Sequence, residues 1–142
     1  MKKMVDGNLV NLTSQEIADR QAEESSFTAK KVEAHKIAYY NEKLNGGITV
    51  DGIFIATGAE DRNLINGAVT RALLDGDDTK EYPYYPTGGG VTNLTNAQYK
   101  AIGAAIALHV QACLDAQAAI EGNTYNTIEE VRQAYETEYQ KN

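Results

Sequence analysis

The pattern of hydrophobic and polar positions predicts a short β-hairpin in the middle of the chain. Two short β-branched runs, near 48–50 and 53–56, flank Asp51-Gly52. This pair favours a type I′ turn, because both central residues must take positive φ. Pairing across the turn sets four aliphatic side chains on one face: Ile48, Val50, Ile53 and Ile55. A two-stranded ribbon is not stable alone, so we expect that face to pack on helices.

Four helix starts follow from one local rule. A threonine followed three residues later by Glu or Gln forms a capping box at a helix N-terminus. The pattern occurs at Thr13 with Glu16, Thr57 with Glu60, Thr95 with Gln98, and Thr127 with Glu130. The helix after Thr95 is the most apolar. Its stripe follows three- and four-residue steps through Tyr99, Ile102, Ile106, His109, Cys113, Ala116 and Ile120.

The stretch from Ser14 to about Leu44 differs from the other predicted helices. Its first half has no apolar stripe, and apolar spacing returns only at Val32. We expect a polar helical arm, with a kink or break at Ser25-Ser26, that leads into a packed helix. A helix that is polar all round is usually covered by solvent or by another chain.

Residues 79–94 form the only stretch predicted to be irregular. Pro83 and Pro86 exclude a helix there, and Gly88–Gly90 allows a turn into a short edge strand at Val91-Thr92. Three tyrosines stand in this segment: Tyr82, Tyr84 and Tyr85. Extended tyrosines are good contact residues for a protein or sugar partner, but they can equally fold back as lids on the core. The sequence leaves both alternatives open.

Composition and charge exclude several classes of partner. The 142 residues include 42% hydrophobic and 23% charged residues, which are ordinary values for a globular chain. The net charge is −7, and the whole acidic excess lies in residues 45–142. Such a balance argues against nucleic-acid binding. No apolar run is long enough to predict membrane insertion, and no signal peptide is seen after Met1.

Candidate chemistry is weak in this sequence. His109 and Cys113 share a helix face at a spacing that metal ligands use, but two ligands do not make a zinc site, and a core position explains both. Gly88–Gly90 lacks the Lys-Ser/Thr of a phosphate-binding loop. The single cysteine excludes an intrachain disulfide. We therefore predict no enzyme activity and no cofactor or metal.

These signals together predict a mainly helical α+β fold with the hairpin packed on helices. Residues 1–45 form the N-terminal segment and arm, 46–121 the core α+β domain, and 122–142 a C-terminal helix. The last helix has only a narrow stripe that a small domain does not obviously cover, formed by Ile128, Val131, Tyr135 and Tyr139. With the three tyrosines above, these residues are the predicted partner contacts, because aromatic anchors dominate interface energies.

Four segments resemble domain of unknown function 4376, a family met in tailed-phage tail and tail-fibre gene clusters. They are the run 46–57 around the hairpin, the run from Asn63 to Ala68, the run 94–102, and His109-Val-Gln-Ala-Cys113. The opening, residues 5–24, is similar to the starts of many small phage tail or tail-assembly proteins. The helix from Thr127 onward looks appended to the family pattern.

The resemblance implies a phage context but no catalytic residue. We expect a non-enzymatic tail or tail-fibre structural component, made in the host cytoplasm and located in the virion tail. Its partners would be other tail or fibre proteins and copies of itself. The alternative is a tail-fibre assembly chaperone that is not retained in the mature particle.

Overall fold

The computed structural model describes residues 1–86 and 89–142, which form four helices and three two-stranded antiparallel sheets. The helices are α1 (Ser14–Asn45), α2 (Ala59–Asp75), α3 (Asn96–Glu121) and α4 (Ile128–Tyr139). The strands pair in chain order: β1 (Lys2–Val5) with β2 (Asn8–Asn11), β3 (Ile48–Val50) with β4 (Ile53–Ile55), and β5 (Glu81–Tyr84) with β6 (Thr92–Thr95). The predicted mainly helical α+β class is confirmed. Of the glycine turn predicted at 88–90, Gly88 lies outside the described residues.

The central hairpin has the predicted turn and register. Asp51 and Gly52 take φ values of 49° and 77°, as a type I′ turn requires. Ile48 pairs with Ile55, and Val50 pairs with Ile53. The aliphatic face packs against α2 and α3, with Ile55 fully buried. The alternation of the strands is therefore what holds the hairpin against the core.

Two other hairpins correct the predictions. No strand is predicted before Ser14, yet β1 and β2 form a hairpin around Asp6-Gly7. The φ values of these two residues, 47° and 80°, are similar to those of the turn at Asp51-Gly52. The segment expected to be irregular contains β5, in which Pro83 pairs with Asn93 of β6. A two-stranded sheet has only edge strands, so a proline without an N–H is tolerated there.

The helix caps agree with the predictions except at α2. Both Thr13 and Thr95 form complete capping boxes, and Thr127 accepts from the Glu130 amide. Helix α2 instead begins after Gly58 with no side-chain cap. The buried Thr57 hydroxyl donates to the Leu44 carbonyl at 2.7 Å, where it helps to close the end of α1.

Helix α1 is continuous from Ser14 to Asn45, so a break at Ser25-Ser26 is wrong. Every residue from Ala18 to Lys31 is exposed, which agrees with the missing apolar stripe. The helix becomes part of the core at Val32, which is buried. We call residues 1–31, which comprise the first hairpin and the exposed half of α1, the arm.

Helix α3 connects two clusters of buried side chains. Its first half joins the hairpin, α2 and β6 in a cluster of Ile55, Ile65, Leu94, Tyr99, Ile102 and Ile106. Its second half joins α1 and α4 in a cluster of Val32, Ala116, Ile120, Val131 and Tyr135. Helices α2 and α3 approach closely at Gly103, where a Cβ would stand 2.5 Å from Cγ2 of Val69. Helix α3 therefore contributes buried side chains to both clusters.

By length and composition alone, α3 is apolar enough to cross a membrane. The core helix of a water-soluble fold passes the same test. In this chain α3 contacts α1, α2 and α4. Its apolar stripe is thus used for packing between helices.

A buried lysine closes the C-terminal end of α3. Lys36, on α1, is 2% exposed and donates through Nζ to the carbonyl oxygens of Glu121 at 3.1 Å and Asn123 at 2.8 Å. Its third contact is with Glu33, one turn earlier on α1. The last carbonyls of a helix have no partner within the helix, so this ammonium group serves as a cap from another element.

The turn of the central hairpin gives the first testable prediction. Gly52→Ala should lower the free energy of unfolding by roughly 1–2 kcal/mol, because a Cβ is disfavoured at φ 77°. Gly67→Ala is the matched control, since Gly67 lies inside α2 with open space around it. That change should raise stability by about 0.5–1 kcal/mol. Urea denaturation measures both, and equal effects of the two substitutions would contradict the turn assignment.

The capping lysine gives the second prediction. Lys36→Met keeps the length of the side chain but removes its donors, so unfolding free energy should fall by about 1–3 kcal/mol. Lys30→Met, at an exposed position of the same helix, should change it by no more than about 0.5 kcal/mol. If chemical denaturation gives the same small change for both variants, Lys36 does not cap α3.

Candidate functional site

The three tyrosines predicted as partner contacts could either face a partner or fold back on the core, and the structure shows both arrangements. Tyr82 and Tyr84, on β5, are half-buried and pack against the first cluster. Tyr85, just after the strand, is exposed. The period of two along an extended chain explains the division, because alternate side chains face the core. Two of these tyrosines therefore cover the core, and one points outward.

The ring of Tyr82 lies against a cation that sequence reasoning did not select. The Arg71 guanidinium, from α2, stands 3.5 Å from the centre of the Tyr82 ring and 5.1 Å from that of Tyr99. Its Nε and Nη2 atoms are buried and have no hydrogen-bond partner among residues 1–86 and 89–142. The Arg71 cation is thus stabilised by aromatic rings, while two of its nitrogens are left without an acceptor.

Asp75, four residues after Arg71 on α2, forms hydrogen bonds with other side chains. Asp75 accepts from the Tyr82 hydroxyl at 2.7 Å and from the Asn96 amide at 3.0 Å. These two hydrogen bonds lower the pKa of the Asp75 carboxyl. None of the ion pairs within residues 1–86 and 89–142 includes Arg71.

Arg71 lines a pocket of about 260 Å³ between α2 and the end of β5. Helix α2 also contributes Asp61 and Leu64, and the other wall is formed by Pro83, Tyr84, Tyr85 and Tyr99. Burial, and then the nearby Asp61 charge, raise the pKa of Tyr84, so its hydroxyl stays protonated at neutral pH. The pocket combines apolar walls with one cation and one carboxylate.

A signal for Arg71 was present in the sequence. Leu64, Ala68 and Arg71 are spaced i, i+4 and i+7, so the arginine continues an apolar stripe of α2. A cation in line with apolar positions indicates partial burial. Its stacking on Tyr82 could not be predicted, because that contact depends on how β5 folds back over α2.

The predicted contact stripe of α4 faces inward. Val131 and Tyr135 are fully buried against α1 and α3, and the Tyr135 hydroxyl donates to the Cys113 carbonyl at 2.8 Å. Neither side chain can therefore contact a partner while the chain is folded, which corrects the prediction for these two residues. Tyr139 is half-buried and Ile128 is exposed. Helix α4 is part of the core.

His109 joins three helices through its two ring nitrogens. Its Nε2 lies 3.2 Å from the Leu44 carbonyl of α1, and its Nδ1 lies 2.8 Å from the Tyr139 hydroxyl of α4. A carbonyl only accepts, so Nε2 carries the proton and Nδ1 accepts from Tyr139. In residues 1–86 and 89–142, no group of three or more His, Cys, Asp or Glu side chains could bind a metal ion.

Cys113, which lies one turn after His109 on α3, gives the third prediction. Cys113 is fully buried, and burial raises the pKa of its thiol. It should therefore react with an aromatic disulfide reagent only after unfolding, since the thiolate is the reactive form. A Cys113→Ala variant carrying Ala118→Cys, at an exposed position of α3, should react at once. Absorbance of the released thiol measures both, and fast native labelling of Cys113 would overturn the core assignment.

Comparison with known proteins identifies the family. The family model described as "Domain of unknown function (DUF4376)" matches residues 28–138, which include α4 except its last residue, Tyr139. The expectation that the helix after Thr127 is appended to the family pattern is therefore wrong. No curated protein and no solved structure matches the chain. The matched region begins just before Val32 and contains both buried clusters. The chain belongs to the DUF4376 family.

Proposed function

We propose that the protein is a non-enzymatic component of a bacteriophage tail or tail fibre, present in several copies and held by protein–protein contacts. It would be made in the host cytoplasm and retained in the tail of the virion. The phage context is supported by the resemblance of the family motifs and of the opening segment to proteins of tail gene clusters. The structural role is supported by the arm, which is the observation that carries the proposal.

The arm exposes apolar surface that the rest of the chain does not cover. Four apolar side chains of the first hairpin are exposed: Met4, Val5, Leu9 and Val10. Phe27, farther along α1, is exposed as well. A single two-stranded hairpin is marginally stable in water. Contacts with another chain would bury these residues and stabilise the hairpin.

Few contacts attach the hairpin to the rest of the chain. The Leu12 amide donates to the Met1 carbonyl at 3.1 Å, and Lys3 pairs with Glu16 in the first turn of α1. From Ala18 to Lys31 the helix is exposed on all sides, over about 20 Å at 1.5 Å per residue. This geometry suits an extension that reaches a neighbouring subunit.

The alternative function is a tail-fibre assembly chaperone that leaves before the particle matures. Strands β1 and β2 pair only with each other within the described residues, so each has one free edge. A free edge can accept a strand of an unassembled client. The same hairpin would then act transiently instead of permanently.

The fourth prediction tests this role in particles. In virions of the phage that encodes the chain, mass spectrometry should find the wild-type protein at a constant copy number. Leu9→Asp should remove it from the particles, because a charge replaces one of the exposed apolar side chains of the first hairpin. Leu9 is 68% exposed, so the variant should stay folded by circular dichroism. Leu73→Asp, at a 65% exposed position of α2, is the matched control and should still be incorporated.

The other outcomes separate the alternatives. Wild-type protein that binds a fibre protein in the infected-cell lysate but is missing from particles supports the chaperone. If it is missing from particles and binds no tail or fibre protein in the lysate, both proposals fail. Normal incorporation of Leu9→Asp would leave the structural role standing and exclude the arm as its contact.

A further inference from the structure

We propose that the pocket beside Arg71 binds an acidic side chain of a partner polypeptide. This inference goes beyond the proposed function, because it concerns a second surface, distinct from the arm. It rests on a half-buried cation that forms no ion pair within residues 1–86 and 89–142, and that lines a pocket with both apolar and polar walls.

The state of the guanidinium is the first step. Buried arginines are normally paired with a carboxylate, since an uncompensated buried charge is costly. Here Tyr82 stacks on one face of the guanidinium at 3.5 Å, but stacking leaves the N–H groups in the plane of the guanidinium unused. Nε and Nη2, the two nitrogens without partners, form one edge of the group. Both atoms have almost no accessible surface, so a carboxylate from outside would bind the part of the guanidinium that lines the pocket, through charge-assisted N–H···O bonds.

Within residues 1–86 and 89–142, no carboxylate forms an ion pair with Arg71. Asp75 is held by Tyr82, Asn96 and Lys80, and Asp61 lines the pocket without forming an ion pair with Arg71. The protein as a whole is acidic, with net charge −7. An acidic ligand is therefore repelled from most of the surface, and local complementarity at Arg71 must supply its binding.

The size and walls of the pocket indicate what carries the carboxylate. About 260 Å³ accommodates one side chain or one sugar ring. The walls include Leu64, Ala68 and Pro83, which suit the apolar neighbours of an acidic residue. The polar groups of the pocket are Asp61, Arg71, Tyr84 and Tyr85, since the Tyr99 hydroxyl already donates to the Pro83 carbonyl at 3.1 Å. Asp61 provides an acceptor for a backbone N–H of a bound peptide. These features favour a polypeptide over an acidic glycan.

The fifth prediction tests the pocket with the full chain in solution. The probe is an acetylated and amidated pentapeptide with a central glutamate between two leucines, and its glutamine counterpart is the control peptide. The glutamate peptide should shift the Arg71 Nε–H resonance in a saturable way at concentrations up to about 10 mM, since so few contacts give weak affinity. The glutamine peptide should bind about tenfold more weakly, because it loses a charge-assisted pair.

Three variants test whether the binding occurs at this site. Leu64→Glu places a fixed negative charge in the pocket wall, and Leu64 is 73% exposed, so the fold should be unaffected. We expect it to weaken the glutamate peptide about tenfold. Leu74→Glu, at an 83% exposed position of the same helix outside the pocket, should leave affinity unchanged. Arg71→Gln should abolish the difference between the two peptides.

Several results would overturn the inference. They are equal binding of the two peptides, no saturable shift at the highest concentration, and equal weakening by Leu64→Glu and Leu74→Glu. Saturable binding of glucuronate without binding of the glutamate peptide would reassign the pocket to an acidic sugar. None of these results bears on incorporation into particles, so the pocket and the proposed function can fail separately.

Discussion

The fold depends on satisfying the carbonyl groups that helices leave open at their C-terminal ends. Helix α3 ends against the Lys36 ammonium, which bonds the carbonyls of Glu121 and Asn123. The Leu44 carbonyl, near the end of α1, accepts from the Thr57 hydroxyl and from His109. The bonds to the Leu44 carbonyl are buried, and the buried Lys36 ammonium needs acceptors of its own, so losing either set would cost free energy comparable to a lost hydrogen bond. These bonds fix where the helices meet, and the apolar clusters then fill the space between them.

This constraint explains which parts of the fold the sequence could predict. The central hairpin and two complete capping boxes depend on residues within a few positions of one another, and the structure confirms them. Lys36 bonds groups that are 85 and 87 residues away in the chain. No local pattern distinguishes such a lysine from the exposed lysines of the same helix. Thr57 was misassigned for the same reason, because a distant carbonyl competed with the local cap.

The candidate site also depends on contacts between distant parts of the chain, which local sequence patterns do not predict. The tyrosine-rich segment was selected from its sequence, but which tyrosine faces outward depends on the pairing of β5 with β6. Arg71 carries the charge of the pocket and was not selected, since its burial is created by Tyr82 folding over it. The stripe of α4 was taken for an interface because a narrow apolar stripe can belong to either a core or a contact. The second cluster, which needs α1, α3 and α4 together, decides in favour of the core.

The two surfaces proposed for partners lie on parts of the chain that are built differently. The pocket stands on α2 and β5, inside the region matched by the family model, and its walls are fixed by the first cluster. A bound side chain would find those groups already in place, so little conformational entropy is lost when it binds. The arm lies almost entirely before the matched region, and its hairpin has almost no core of its own. A partner that covers the arm must also order it, so part of the contact energy offsets that cost. The arm therefore requires a large contact, as subunits of an assembly provide, whereas the pocket can recognise a single acidic residue.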